Sequence, residues 1–300
     1  MFGARGVGKT TFIESFFSKV KILFYDLLDP EVEDRFILAP NEFAEEIDQK
    51  LGQVEWVVVD EIQKCPKLLN IVHKFIVKKR VKFALTGSSA RRLRQKGVNL
   101  LGGRALTEYL FPLTHGELAD RFRLDDVLMW GSLPEVVTAN SVEERNGFLR
   151  SYALNYLKNE VQAEQWVRKL EPFRRFLSVA AQMNGKIINY TNIARDVGVD
   201  TVTVQSYFDI LEDTLVGIRL GAHHRSIRKQ QAKAPKFYFF DLGVKRALDR
   251  TLDIPLRSGT AAYGEAFEHF IVLEILRLAT YKKKDHELSY VLTKDGAEID

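Results

Sequence analysis

A glycine-rich loop at the start of the chain constrains the fold more than any other stretch. Residues 3 to 10 read Gly-Ala-Arg-Gly-Val-Gly-Lys-Thr, which is the spacing G-x-x-x-x-G-K-[ST] of a P-loop. In a P-loop, backbone N–H groups surround phosphate oxygens at the N-terminus of a helix. The spacing therefore predicts that Lys9 contacts the β- and γ-phosphates of a nucleotide and that Thr10 supplies a hydroxyl to Mg²⁺. The other predicted phosphate-binding residues are Gly3, Gly6, Gly8 and Thr11.

The residues before the loop are too few for the strand that usually precedes it. Only Met1 and Phe2 come first, whereas a P-loop follows a buried β-strand. Two interpretations are open: the native reading frame begins upstream of Met1, or the central sheet lacks one strand. We favour the upstream start, and we expect this chain to lack the first strand.

An apolar run further along the chain ends in two carboxylates. Residues 56–59 are typical of a strand buried on both faces, and Asp60 and Glu61 follow at its carboxyl end. This is the Walker B pattern, in which Asp60 belongs to the Mg²⁺ shell and Glu61 orients or deprotonates the attacking water. An ordinary buried strand can also end in two acids. The position of the run after the P-loop favours the nucleotide site.

A further strand is predicted from Val81 to Ser89, and it ends in small hydroxyl residues. We expect its polar end to lie beside Asp60, where Thr86 and Ser88 could hydrogen-bond to the γ-phosphate or to the attacking water. The alternative is a simple strand-to-helix turn.

An arginine follows the pair Gly102-Gly103. Arg104 is a candidate arginine finger, a guanidinium that reaches the γ-phosphate of a second copy, which would require a homo-oligomer. A surface ion pair is the alternative.

Further motifs follow in a fixed order: Phe111-Pro112-Leu113-Thr114 with Glu117-Leu118, then Gly131-Ser132-Leu133-Pro134-Glu135. Together with the P-loop, Asp60-Glu61-Ile62-Gln63-Lys64 and Gly103-Arg104, they resemble the prokaryotic AAA-type ATPases that carry the C-terminal domain DUF4143. The resemblance covers essentially the whole chain. It departs at Ser132, where the family usually has a second glycine. It implies ATP as the nucleotide, and no guanine-reading N-K-x-D motif is visible.

A helix-turn-helix is predicted from Ile187 to Leu215, where the resemblance implies a winged helix. The second helix carries Asp209 and Glu212, and carboxylates repel DNA phosphates, so we favour packing or a partner contact over reading of the major groove. The basic segment 225–236 is a candidate DNA contact, with a solvated loop as the alternative. A second basic cluster, whose role is open, contains Arg91, Arg92, Arg94 and Lys96.

The C-terminal residues contain part of a nuclease signature. In the family this region resembles a PD-(D/E)xK nuclease core, and Glu268 and Asp300 match its first two acids. The chain stops before the E-x-K that completes such a site. We therefore expect a structural remnant without nuclease activity.

Composition excludes a membrane protein and a disulfide scaffold. The 300 residues are 46% hydrophobic and 28% charged, and no apolar run is long enough to span a bilayer. The only cysteine, Cys65, cannot form an internal disulfide, which fits a reducing compartment. We expect a cytoplasmic protein. A net charge of +4 permits nucleic-acid binding without requiring it.

The sequence thus predicts an α/β chain that contains an AAA-type P-loop domain at 1–145, with a mostly parallel sheet. A helical connector and winged helix follow at 146–235, and a truncated restriction-endonuclease-like α/β region at 236–300. The predicted function is Mg²⁺-dependent ATP hydrolysis coupled to an unknown DNA or protein partner, with Lys9, Glu61 and Arg104 as catalytic candidates. The alternative is a nucleotide-dependent switch or DNA-binding regulator that does not depend on catalysis.

Overall fold

The computed structural model describes residues 1–78, 80–89, 101–156, 170–223, 233–292 and 298–299. These residues form two compact units, Met1–Leu110 and Phe111–Asp300. The predicted domain boundaries at 145/146 and 235/236 stay predictions.

The first unit alternates helices and strands. Its helices are α1 (Lys9–Phe16), α2 (Pro30–Leu38), α3 (Pro40–Lys50) and α4 (Leu68–Val77), and its strands are β1 (Ile22–Asp26), β2 (Trp56–Asp60) and β3 (Lys82–Leu85). Short 3₁₀ turns occupy Ile62–Lys64 and Leu101–Gly103. The strands form a parallel sheet in the order β1-β2-β3. This confirms the predicted α/β class with a parallel sheet.

The central strand accounts for the apolar run in the sequence. Val57, Val58 and Val59 of β2 are completely buried between two strands and the helices above and below. On one face, Ile13 and Phe17 pack against Val58.

Tyr25 lies beside Val59 in the sheet and therefore points to the opposite face from Val58. Its ring contacts Phe36 of α2 and Phe43 of α3, with ring centroids 5.3 and 5.0 Å apart. Helices thus cover both faces of this sheet.

Phe2 continues the sheet beyond β3. It forms parallel bridges with Gly87 and with Tyr109. Its N–H donates to the carbonyl of Glu108 at 2.8 Å, and its own carbonyl accepts the N–H of Leu110 at 2.7 Å. Phe2 thus lies where the strand before a P-loop is expected, paired with Gly87 and with Tyr109. It forms isolated bridges there and is not part of a regular strand.

The second unit is richer in helices. They are α5 (His115–Leu118), α6 (Leu124–Trp130), α7 (Pro134–Thr138), α8 (Val142–Ser151), α9 (Leu170–Gln182), α10 (Tyr190–Val197), α11 (Thr201–Asp213), α12 (Leu242–Leu248) and α13 (Ala261–Tyr281). The strands are β4 (Gly217–Ala222), β5 (Lys236–Phe239), β6 (Ser289–Leu292) and β7 (Glu298–Ile299), in the order β5-β4-β6-β7. β4 pairs antiparallel with β5 and parallel with β6.

Helices α10 and α11 match the predicted helix-turn-helix. Helix α10 ends at Gly198, which has φ of +79°, and the side chain of Asp200 caps α11 by accepting the N–H of Thr203 at 2.7 Å. The antiparallel pair of β4 and β5 follows along the chain. The assignment of these elements to a winged helix stays a prediction.

An aromatic cluster fills the interior beside α11. Phe176 of α9 lies 5.1 Å from the ring of Tyr207 and 4.9 Å from that of Phe208, and Phe208 lies 4.9 Å from Phe237 of β5. Burial of each ring stabilises the fold by roughly 2 kcal/mol. Val204, Phe208 and Leu211 form the buried side of α11.

Candidate functional site

Two glycines of the P-loop have the positive φ angles that glycine tolerates best. Gly6 and Gly8 have φ of +79° and +90°, in the region that side chains disfavour. Gly3 is required for space, since a Cβ there would lie 2.5 Å from the carbonyl oxygen of Leu110. The loop leads directly into α1, so the free N–H groups of the first helical turn face the loop.

Lys9 lies across this loop. Its side chain is buried, and its ammonium donates to the carbonyls of Gly3 at 2.9 Å and Ala4 at 3.2 Å. The same nitrogen lies 3.5 Å from Oε1 of Glu61. One cation thus joins the loop to the Walker B carboxylate.

The predicted Mg²⁺ ligands lie side by side. The hydroxyl of Thr10 donates to Oδ2 of Asp60 at 2.7 Å. The other oxygen of Asp60 accepts from the hydroxyl of Thr86, which also accepts the N–H of Glu61 at 3.1 Å. Thr86 is buried and bonded to Asp60, so it supports the Walker B turn. The predicted contact of Thr86 with phosphate or with the attacking water stays a prediction.

The oxygens of Thr10 and Asp60 suit a magnesium ion. Mg²⁺ prefers hard oxygen ligands and is usually held by one or two protein groups together with phosphates and water. A hydroxyl and a carboxylate oxygen 2.7 Å apart, beside the P-loop, meet that requirement. No group of three His, Cys, Asp or Glu side chains that could hold a metal without phosphate occurs among the described residues.

Glu61 is held by several contacts. It has φ of +57°, which is uncommon for a residue with a side chain and is often found at functional sites. Its Oε2 accepts from the backbone N–H of Ser88 at 3.3 Å and from the Ser88 hydroxyl at 3.2 Å. Ser88 therefore lies beside the carboxylate, as the sequence predicted for the end of β3.

Gln63 also belongs to this cluster, although the motif Asp60 to Lys64 assigned it no role. Its side-chain amide donates to Oε2 of Glu61 and to the hydroxyl of Ser88, and only 3% of the residue is exposed. The signal available in the sequence was a glutamine two residues after the Walker B glutamate, but the sequence could not show that its side chain turns back.

Two predicted site residues lie outside this hydrogen-bonded cluster. Thr11 is exposed in the first turn of α1. Arg104 is exposed in the turn after Leu101–Gly103. Their roles at the phosphates, and the role of Arg104 toward a second copy, stay predictions.

In the second unit, Asp209 and Glu212 of α11 are paired with one arginine. Arg219 of β4 donates to Asp209 and, at 2.6 Å, to Glu212. Burial alone would lower the pKa of Arg219, but the hydrogen bonds and charges of these two carboxylates raise it overall. One positive charge thus offsets part of the negative charge of the two acids.

The candidate DNA contact is partly corrected. Lys236 is completely buried, with its ammonium 3.9 Å from Oε1 of Glu268 and 5.7 Å from the ring centre of Tyr290. It cannot reach a phosphate from there. Residues 225–232 and the basic cluster of Arg91, Arg92, Arg94 and Lys96 lie outside the described residues.

Glu268 is the first of the two acids that match the nuclease signature. Glu268 accepts a hydrogen bond from the Tyr238 hydroxyl at 2.7 Å. Asp300 lies outside the described residues. The nuclease-like assignment stays a prediction.

Comparison with known families agrees with the geometry of the first unit. Residues 1–119 match the AAA domain family. This match supports an AAA-type P-loop ATPase unit and an α/β P-loop fold for this part of the chain. Residues 121–255 match a domain of unknown function, DUF8612, whereas the resemblance in the sequence had implied DUF4143.

Three relatives match about four fifths of the chain. Uncharacterized proteins of Mycobacterium bovis and Mycobacterium tuberculosis are each 26% identical to the chain over 247 residues, which is 81% of this chain and 55% of theirs. An uncharacterized protein of Haemophilus influenzae is 22% identical over 267 residues, 82% of this chain and 64% of its own. The chain thus spans between about half and two thirds of these relatives.

None of the helices that the structure describes is both long and apolar enough to cross a membrane.

Proposed function

We propose that the first unit binds ATP together with Mg²⁺ and hydrolyses it. The observation that carries the proposal is the hydrogen bond of 2.7 Å between Thr10 and Asp60, since it joins the P-loop to the Walker B strand. Two distant stretches of sequence thereby supply adjacent oxygen ligands. The AAA domain match supports the nucleotide assignment.

Each residue has a proposed part in the reaction. The N–H groups of the loop and the Lys9 ammonium bind the phosphates, and Thr10 and Asp60 hold the metal. Bound Mg²⁺ neutralises charge on the phosphate oxygens. Glu61 takes a proton from the attacking water as the water oxygen bonds to the γ-phosphorus, and the bond to the ADP oxygen breaks.

A second candidate is a nucleotide-dependent switch in which turnover is slow. It is favoured by the engagement of Glu61, whose two oxygens contact Lys9 on one side and Ser88 and Gln63 on the other. A carboxylate held in this way must give up its contact with Lys9 when a phosphate binds there. In this candidate, nucleotide occupancy rather than hydrolysis controls a DNA or protein partner.

The test compares ATP binding with phosphate release in two variants. Lys9→Ala should lose ATP affinity by about 100-fold or more, because a buried cation at the phosphates is removed. Glu61→Gln should bind ATP but release phosphate about 100-fold more slowly. The controls are Lys19→Ala and Glu55→Gln, which change exposed residues of the same types.

The two candidates predict different results in the parent protein. Turnover that depends on Glu61 supports the ATPase. Tight ATP binding with equal, negligible phosphate release in the parent and in Glu61→Gln supports the switch. Absence of Mg²⁺-dependent ATP binding in the parent would contradict both.

A further inference from the structure

Gln63 is a buried polar residue with no part in the reaction proposed above. It lies in the 3₁₀ turn Ile62–Lys64, immediately after the Walker B carboxylates, and is 3% exposed. Burial of an amide without hydrogen-bond partners is costly. The question is therefore what its amide holds.

The Gln63 amide nitrogen bridges Glu61 and the end of β3. It donates to Oε2 of Glu61 and, at 3.0 Å, to the hydroxyl of Ser88. Ser88 in turn donates to the same Oε2. One oxygen of Glu61 is thus surrounded by donors, while Oε1 lies 3.5 Å from the Lys9 ammonium, on the P-loop side.

The Glu61 carboxylate determines the orientation of the Gln63 side-chain amide. The amide oxygen, Oε1, is buried and has no hydrogen-bond partner among the described residues. Rotating the amide by 180° would turn this oxygen toward the Glu61 carboxylate, which would repel it. The oxygen packs instead against Gly87, where a Cβ would lie 2.5 Å away.

The backbone of Glu61 adds a second constraint. Its left-handed conformation is unfavourable for a residue with a side chain. Its N–H is held by Thr86 at 3.1 Å. The direction of the Glu61 side chain is therefore fixed from both ends, by Thr86 at the backbone and by Gln63 at the carboxylate.

We propose that Gln63 is a positioning residue for Glu61. By holding Oε2, its amide turns Oε1 toward the phosphate site, so that Oε1 is the atom that takes the proton from water. Gln63 itself does not contact the nucleotide. This inference rests on the proposed ATPase function.

The test is steady-state ATP hydrolysis by Gln63→Met, which keeps the length of the side chain but cannot donate. We expect kcat to fall about 10- to 100-fold, the loss typical of a small misplacement of a catalytic group. KM for ATP and the affinity for ATP should stay within about twofold, since no phosphate contact is lost. The matched control is Gln53→Met, which changes an exposed glutamine.

A double mutant examines whether Gln63 and Ser88 act on the same oxygen. Ser88→Ala should also lower kcat. The double variant should lose less than the product of the two single losses, because both residues hold Oε2 of Glu61. Gly87→Ala offers an independent route, since its methyl group displaces the amide without removing it, and it should lower kcat in the same direction.

Three results would overturn the inference. The first is parental kcat in both Gln63→Met and Gly87→Ala. The second is a raised KM with unchanged kcat, and the third is strictly multiplicative effects of Gln63→Met and Ser88→Ala. If Gln63→Met does not fold, the decision passes to Gly87→Ala. A parent protein without turnover would instead refute the proposed ATPase, and the inference with it.

Discussion

In the second unit, Gly131 packs directly against the side chain of Asp241. A Cβ on Gly131 would lie 2.1 Å from Oδ1 of Asp241. The Asp241 carboxylate accepts the N–H of Ser132 at 2.8 Å, and it caps α12 by accepting the N–H of Val244 at 3.1 Å. The turn at Gly131 and Ser132 is thus joined to the start of α12 through one buried carboxylate.

Substitution of Gly131 should therefore destabilise the protein. Gly131 also has φ of +75°, so Gly131→Ala combines backbone strain with displacement of a buried, hydrogen-bonded acid. We expect a loss of about 3 kcal/mol or more in the free energy of unfolding. Urea denaturation measures it. The control is Gly147→Ala in α8, where a Cβ meets nothing within 4 Å and the helix should gain up to about 1 kcal/mol. Equal stability of the two variants would contradict the expectation.

The stability of the second unit should decline in mild acid because of His269. Burial, followed by the neighbouring charges of Lys245 and Arg277, lowers the pKa of His269 to about 3. The unfolded chain binds a proton below about pH 6.5 while the folded protein does not, so stability falls as the pH decreases from about 6.5 toward 3.

His269→Gln should reduce that pH dependence by up to about 1.4 kcal/mol per pH unit between pH 6 and pH 4. Urea unfolding at several pH values gives the slope for each protein. His286→Gln replaces an exposed histidine and should keep the parental slope. An unchanged slope in His269→Gln would show that other groups cause the acid sensitivity.

Thr86 should matter for the metal site and for stability. Thr86→Val keeps the shape of the side chain but leaves a buried oxygen of Asp60 and the N–H of Glu61 without a partner. We expect a loss of about 1–3 kcal/mol in the free energy of unfolding and a higher Mg²⁺ requirement for ATP binding. Thr86→Ser retains the hydroxyl and should restore both. A parental Mg²⁺ requirement in Thr86→Val would argue against support of Asp60 by Thr86.

Arg219 should stabilise α11 through its two carboxylates. Arg219→Ala leaves Asp209 and Glu212 close together without their shared cation. Because the group is only partly buried, we expect a loss of about 1–3 kcal/mol, measured by urea denaturation. Arg195→Ala removes an arginine that is 77% exposed and 3.8 Å from Asp196, and it should change stability by less than about 0.5 kcal/mol. Losses of equal size would mean that the Arg219 network contributes no more than a surface pair.

The sequence predicted the parts of the fold that are governed by local pattern. The run of Val57 to Val59 gave the central strand, and the P-loop spacing gave the start of α1. The helices at 190–197 and 201–213 lie within the stretch 187–215 that the sequence predicted as a helix-turn-helix. In each case the residues that determine the structure are close together in the chain.

What escaped prediction depends on contacts between distant residues. The hydrogen bond from the Thr86 hydroxyl to Asp60 was not visible in the sequence. Lys236 belonged to a basic segment, but pairing with Glu268 and the ring of Tyr290 accompanies its burial. Gly131 and Asp241 are more than a hundred residues apart in the chain, so their contact leaves no periodic pattern in the sequence. Only the folded arrangement assigns these partners.

The packing of Gln63 against Gly87 limits how this site can vary in evolution. A residue larger than glycine at position 87 would occupy the place of the amide oxygen, which lies 2.5 Å from the position of a Cβ. A lineage that acquires a side chain at 87 should therefore also carry a smaller or differently directed residue at 63, with another donor taking over Oε2 of Glu61. Correlated exchange at these two positions is the expected record of a shared constraint.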